Sequence, residues 1–340
     1  MKQYNKSIFK LDNTDEYLQW RENKLSNAKS NQNKRLIHLK KTPPTFLPVS
    51  TNNNKEQQIL FPINRILAEC DSDNYCLYSL DDYANLDIEE TKQLIVTLAQ
   101  DCGLFRLDGN ICADQDKLTS ICQTIRKGQH EYIPYTNKKL SWHTDGYYNL
   151  PENTIYSMLL HCFRSAENGG ESAFMDHEIA YILLRDENPK WIAALSHKHV
   201  MTIPANILNG KVIRAEQTGP VLSVTPQGRL HMRYSARQKN IVWSKDIDTL
   251  DAVSFLQRLL SPDNNCSNGK SSDKTALSKY IIKHKLKAGE GIISRNVLHC
   301  RSAFDDKESS TEEKESSIEK KETAPQQRLL FRGRYYDEIQ

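Results

Sequence analysis

The sequence predicts a mainly β fold with flanking helices, its core a double-sheet barrel or jelly roll. Three observations predict it: many short apolar runs separated by turn residues, helical periodicity confined to a few segments, and no internal repeat of ~20–50 residues that would build a solenoid. The 340 residues are 38% hydrophobic with only 13 Gly and 12 Pro. That supplies a sizeable core and excludes a collagenous or low-complexity chain.

Taken in order, residues 1–57 read as a polar N-terminal segment and arm. Residues 22–57, rich in Asn, Lys, Gln and Ser around Pro43-Pro44, have little to bury and read as extended. A folded domain is expected over 58–340. Asp87 to Gln100 has an acidic first turn, Leu94, Ile95 and Leu98 at helical spacing, and Gly103 just beyond, the marks of a capped helix. Leu104-Phe105-Arg106-Leu107 reads as a short strand, and Asp114 to Arg126 as a second helix with Leu118, Ile121, Cys122 and Ile125 turned inward. Strands are expected at 155–163, 172–175, 199–203, 212–215, 221–224, 229–234, 279–286, 291–294 and 328–336, with Pro226-Gln227-Gly228 turning a hairpin. Helices interrupt at 179–185, 190–196 and 247–260. The polar stretches 261–274 and 307–327 cannot bury enough apolar surface to offset their ordering entropy, and read as mobile insertions.

Composition also narrows function. A net charge of +3 is too slight for nucleic-acid binding, which needs a concentrated patch. No apolar run approaches the ~18–20 residues of a membrane span. The eight cysteines contain no Cys-x-x-Cys, and no secretory signal is evident, so they read as reduced thiols in a cytoplasmic protein.

The chemistry concentrates in Trp142-His143-Thr144-Asp145. In extended chain residues i and i+2 share a face, so His143 and Asp145 can grip one ion. A third ligand must come from a distant strand, and His299 is the candidate. Two imidazoles and a carboxylate on one face of a metal leave positions open, as in non-haem Fe(II) oxygenases. The same triad with Zn²⁺ and water would serve a hydrolase, and a binding or sensing protein could also be built on such a scaffold. Downstream of Gly169-Gly170, Ser172 offers a small hydroxyl, while Arg328 and Arg332 suit bidentate carboxylate binding and share a strand face.

Tyr147, Tyr148 and Asn149 follow the metal motif and are candidates to line the substrate mouth, with at most one of the two rings inward. Tyr135 and Asn137 precede it and can contribute. His161 lies in an apolar run and reads as a core residue, and His197 with His199 has no acidic or thiol partner alongside. In 231–237, alternation groups Arg233, Ser235 and Arg237, either a basic wall facing an anionic substrate or an outer-face ladder of charges.

Trp-His-Thr-Asp at 142–145, Gly-Gly-Glu-Ser at 169–172, Asn-Val-Leu-His at 296–299 and Arg-Leu-Leu-Phe-Arg at 328–332 together resemble the taurine dioxygenase (TauD/TfdA-like) family of Fe(II)- and 2-oxoglutarate-dependent dioxygenases. The resemblance covers roughly Leu140 to Asp337 and implies a double-stranded β-helix (jelly-roll) core. It implies that His143, Asp145 and His299 hold Fe(II), that Ser172 and Arg328 bind 2-oxoglutarate, and that Arg332 meets an acidic group of the substrate. The implied reaction uses O2, converts 2-oxoglutarate to succinate and CO2, and hydroxylates a substrate or oxidises a related C–H bond. A small anionic molecule is the expected substrate; the polar arm leaves room for a macromolecular one. Two features depart from the family. His299 and Arg328 stand 29 residues apart where about a dozen is usual, which the 307–327 insertion explains because loop length adds closure entropy only logarithmically. Arg301 is the alternative for the Arg328 role, and Cys300 follows the distal His where Gly or Arg is commoner.

Overall fold

The structure, a computed structural model, describes residues 6–30, 36–39, 45–47, 57–59, 61, 63–80, 85–110, 112–123, 132–208, 210–237, 241–261, 279–306 and 327–340. Most of the expected insertions at 261–274 and 307–327, and most of the arm beyond residue 30, lie outside these.

Two β-sheets face each other. The wide sheet has six strands in the spatial order Ile37–His38, Tyr75–Ser79, Glu290–Ser294, Ser157–Arg164, Leu329–Tyr335 and Thr119–Ile121. The narrow sheet has four, in the order Ile282–His284, Ser172–Met175, Leu298–Arg301 and Leu140–His143. Strand neighbours are far apart in sequence, as a jelly roll requires. Alternation explains the layering. From the wide sheet Leu77, Met158, Leu160, Ile292 and Leu330 turn inward to meet Phe174 of the narrow sheet. Their sequence neighbours Leu159, Ile293 and Phe331 turn outward beneath helices α2 (Ile63–Asp73) and α3 (Ile88–Asp101). On the far side of the narrow sheet, Ala173, Met175 and Leu298 join the core formed with α4 (His177–Glu187), α5 (Pro189–Leu195) and α6 (Ile247–Leu259). Helices therefore cover the outer face of each sheet, and the polar side chains that turn between the sheets are left for chemistry.

Helix α3 begins as expected. Asp87 accepts the Glu90 N–H at 2.8 Å while the Glu90 carboxylate accepts the Asp87 N–H at 3.0 Å, a capping box. Three expectations need correction. Asp114–Arg126 is no helix over its described part. Asp114 and Asp116 bind local backbone and side-chain donors, Leu118 N–H among them at 3.0 Å, and shape a turn that leads into the edge strand Thr119–Ile121. Leu104–Leu107 forms only an isolated bridge, Leu107 to Tyr335, because Asp337 takes the Phe105 and Arg106 N–H groups at 2.8 and 2.6 Å. Residues 22–30 are the second half of helix α1 (Thr14–Ser30) rather than extended chain. This helix docks through charge and aromatic contacts, which a search for apolar periodicity misses. Lys24 is buried against Asp176 at 2.7 Å and Glu178 at 2.5 Å, Arg21 grips Asp186, and Tyr17 and Trp20 pack on Tyr181.

Candidate active site

His143 ends its strand directly opposite His299 in the narrow sheet. Alternation in Leu298–Arg301 sends Leu298 to the helices and turns His299 and Arg301 toward the wide sheet. The two imidazole centroids lie 4.2 Å apart, and His143 Nε2 is 3.7 Å from Asp145 Oδ1. One nitrogen or oxygen from each of His143, Asp145 and His299 lies within 4.8 Å of the others, all three residues being buried, so the group can hold a metal ion.

Asp145 reaches this position through a turn, whereas the i, i+2 argument assumes continuing strand. The turn depends on Gly146 at φ +68°, where a Cβ would overlap Ile155 Cγ1. Asn296 fastens it: its Oδ1 accepts the Asp145 N–H at 2.7 Å, and its Nδ2 donates to the carbonyls of Asp145 at 2.9 Å and Ile155 at 2.7 Å. From sequence alone Asn296 is a motif member without a task; the fold gives it one.

The protonation pattern suits a cation. His143 Nδ1–H donates to the Ser141 carbonyl at 2.8 Å, and His299 Nδ1–H donates to the Val297 carbonyl at 2.9 Å. Each bond fixes the tautomer whose Nε2 lone pair is free for a metal. Burial, with the neighbouring His299, pushes His143 down to about 3, and burial also lowers His299. Burial works against the Asp145 carboxylate, yet Arg332 and other nearby charges hold it well below the usual carboxylate range. Asp145 Oδ2 is buried with no hydrogen-bond partner. Two neutral nitrogens and an ionised, half-satisfied carboxylate are the donor set that a non-haem Fe(II) site needs.

Two arginines of the wide sheet, Arg332 and Arg334, lie near Asp145. Arg332 Nη1 lies 3.3 Å from Asp145 Oδ1, and its Nε is buried without a partner. Arg334 donates to the Tyr148 hydroxyl at 2.8 Å and pairs with Asp108. Sequence reasoning misses Arg334, although its i+2 spacing from Arg332 is a signal. Arg328 is 5% exposed, its guanidinium 4.9 Å from the Phe304 ring, and among the described residues no carboxylate lies within ion-pair distance of it. Arg301 sits 4.8 Å from the same ring but donates to the carbonyls of Pro134, Thr136 and Lys138. The two arginines thus differ: Arg301 ties down the 134–138 segment, while Arg328, with the Asp306 charge nearby, makes no hydrogen bond among the described residues. Ser172 is buried and stands opposite Arg301 and His284 in register.

Of the remaining candidates, Tyr147 and Asn149 line a cavity beside Asp145, and the Tyr148 ring meets Tyr147 edge-on at 5.2 Å. The Asn149 amide closes its own loop by donating to the Asn153 carbonyl at 2.9 Å.

A sequence model of the family described as taurine catabolism dioxygenase TauD, TfdA family matches residues 85–313. The chain belongs to this family. Membership makes it a non-haem Fe(II)- and 2-oxoglutarate-dependent dioxygenase. Solved structures of the same fold include asparagine oxygenase in complex with Fe(II), 2S,3S-3-hydroxyasparagine and succinate, at 14% identity and a TM-score of 0.50 over 80% of this chain and 78% of that one. The non-heme iron oxygenase OrfP with Fe and alpha-ketoglutaric acid aligns at 13% identity and a TM-score of 0.50, covering 80% and 77%. OrfP with Fe, succinate and (3S)-hydroxy-L-Arg gives 13% and 0.51, covering 80% and 79%. A search of curated proteins finds no match to this chain. Among the described residues no helix is long and apolar enough to cross a membrane.

Proposed function

We propose that His143, Asp145 and His299 hold Fe(II), that Arg328 and Ser172 receive 2-oxoglutarate, and that the enzyme hydroxylates a small anionic molecule. The observation that carries this reading is the triad itself: the two imidazoles are tautomerically fixed and Asp145 Oδ2 lacks a partner. At the head of the strand that carries Arg332, Arg328 adds a buried cation with no carboxylate within ion-pair distance among the described residues. When bound, iron, 2-oxoglutarate and O2 supply the oxidising power for C–H hydroxylation, with succinate and CO2 as coproducts.

The chain's own residues do the positioning. The Ser141 and Val297 carbonyls aim the imidazoles. Asn296 and Gly146 fix the Asp145 turn. Arg328 gives the distal carboxylate of 2-oxoglutarate a bidentate partner, and the phenyl ring of Phe304 holds that guanidinium in place. Arg332 keeps Asp145 ionised and presents its remaining N–H groups to an acidic group of the substrate; Tyr147 and Asn149 line the adjoining mouth, with the Tyr148 ring edge-on to Tyr147. Cys102 and Cys162 are buried among apolar side chains, as reduced thiols pack, which supports a cytoplasmic location.

The test is 2-oxoglutarate turnover. Purified protein with Fe(II), ascorbate and O2 should release succinate from 2-oxoglutarate slowly without substrate and faster when a true substrate is supplied. His299→Ala should abolish the release. Succinate-free hydrolysis supported by Zn²⁺ would refute the proposal.

A further inference from the structure

The 231–237 segment, which alternation alone leaves either as a basic wall or as an outer-face ladder, lies beside the metal strand. Ser235 bridges to His143, the Thr144 N–H donates to the Tyr234 carbonyl at 3.0 Å, and the Ala236 N–H donates to the Trp142 carbonyl at 2.8 Å. Directly opposed residues share a face. Arg233 lines a cavity of about 270 Å³ between the Asp145–Asn149 turn and the hairpin of Leu222–Val224 with Leu230–Met232.

This cavity is electrostatically one-sided. Asp145, already assigned to the metal, is its one acidic lining residue among those described. Arg233 donates to the carbonyls of Tyr147 at 2.6 Å, Met201 at 3.1 Å, Gln217 at 3.1 Å and Gly219 at 3.3 Å, and it has no ion-pair partner among the described residues. Four of its five N–H groups are thereby used, and one remains along with the whole positive charge. Arg214, over the Tyr148 ring at 5.8 Å, donates to the Pro204 and Ala215 carbonyls and likewise has no carboxylate partner among the described residues. Burial, then the nearby charge of Arg214, pushes Arg233 down to about 10. Arg233 is thus a cavity-lining cation held by carbonyl dipoles, and Arg214, which does not itself line the cavity, adds a second positive charge over the adjoining Tyr148 ring. His231, opposite Ser223, also lines the cavity; its ring meets Tyr156 edge-on at 5.4 Å, and its nitrogens have no hydrogen-bond partner among the described residues.

We propose that this cavity is the subsite for a second oxyanion group of the substrate, a carboxylate or phosphate remote from the reacting carbon. Arg233 and Arg214 supply its counter-charge, and His231 with Ser223 supplies hydrogen bonds. An anion is attracted to Arg233 and, at longer range, to Arg214, whereas a guanidinium or ammonium side chain meets like charge, the one acidic lining residue among those described, Asp145, being taken by the metal. The subsite therefore selects acidic substrates against basic ones. This inference rests on the assignment of the neighbouring triad as the oxygenase centre and names the substrate class of that centre.

The test is calorimetric titration with four amino-acid probes that differ only beyond the shared α-carboxylate and α-amine: L-glutamate, O-phospho-L-serine, L-glutamine and L-arginine. Saturating 2-oxoglutarate is present to keep the probes out of the Arg328 site, both without metal and with Fe(II) under anaerobic conditions. One acidic probe should bind about tenfold more tightly than glutamine, and arginine should bind most weakly. Which acidic probe wins identifies carboxylate or phosphate as the cognate group. Arg233→Gln breaks four carbonyl bonds and endangers the fold, so Arg214→Gln is the deciding variant. It should weaken the acidic probe about tenfold and leave glutamine unchanged. Equal binding of acidic, neutral and basic probes, binding of none, or equal weakening of glutamate and glutamine by Arg214→Gln would overturn the subsite. These outcomes are separable from failure of the oxygenase assignment. An anion preference without any Fe(II)–2-oxoglutarate absorption band sinks the assignment alone, and the band without the preference sinks the subsite alone.

Discussion

Replacing Asn296 by alanine asks whether the metal turn is held by side-chain hydrogen bonds. Asn296 is 1% exposed and has φ +49°. It makes three bonds of 2.7, 2.9 and 2.7 Å to the Asp145 N–H, the Asp145 carbonyl and the Ile155 carbonyl. Alanine leaves one buried N–H and two buried carbonyls without partners, at about 1–3 kcal/mol each. Alanine also lacks the local side-chain hydrogen bonding that lets asparagine tolerate left-handed backbone, which adds up to about 1 kcal/mol. The expected loss is therefore about 4 kcal/mol or more, a large part of a typical domain's stability. Because the same bonds orient Asp145, metal affinity should fall about 10–100-fold. Urea denaturation and anaerobic Fe(II) titration measure the two effects. Asn296→Gly separates the contributions, since it relieves the backbone cost and should recover about 1 kcal/mol while leaving metal affinity as low as in the alanine variant. A loss under about 1 kcal/mol in Asn296→Ala with unchanged metal affinity would refute the reasoning.

Four further outcomes are expected. Arg328→Ala should weaken 2-oxoglutarate binding at least about tenfold by equilibrium titration, whereas Arg301→Ala should chiefly lower stability, because its donors hold backbone carbonyls. Gly146→Ala should cost about 2 kcal/mol or more in urea denaturation and weaken the metal, since the new Cβ meets Ile155 at positive φ. Lys24→Met should cost about 3–5 kcal/mol by leaving Asp176 and Glu178 buried without their cation, and the loss should show as a lowered thermal midpoint. His161, pushed down to about 4 by burial, stays neutral in the fold while the unfolded chain takes up a proton near its ordinary value of 6.5. Its contribution is intact above about pH 6.5 and is lost as pH falls toward 4, by up to about 1.4 kcal/mol per unit; His161→Phe should flatten the measured slope by that amount.

The sequence was most legible where one periodicity dominated. The strand at Ser172–Met175 falls on its expected bounds, and α3 carries the cap that its acidic first turn implied. Strong alternation also put Arg332 within a strand of the wide sheet and Arg328 at its head. Legibility failed where polar contacts replaced apolar ones. Helix α1 docks through Lys24, Arg21 and Tyr17, so neither its helicity nor its burial shows in an apolar pattern. At 114–121 the aspartates shape a turn that helical spacing of Leu118 and Ile121 disguises. In the site, types and spacing singled out His143, Asp145 and His299, which the fold brings together, and Arg328 and Arg332 on one strand. That Arg301 would be tied to backbone carbonyls was not readable, because it depends on which carbonyls lie within reach after folding. The same holds for Asn296 and Arg334, whose partners are 151 and 226 residues away in sequence.

The most direct test of the central claim is anaerobic titration of the metal-free protein with Fe(II) and 2-oxoglutarate, monitored for the visible metal-to-ligand charge-transfer absorption of the chelate. The wild type should give a band, His299→Ala no band, and Arg328→Ala a band that needs more 2-oxoglutarate. Folded, iron-loaded protein that gives no band at saturating 2-oxoglutarate would contradict it.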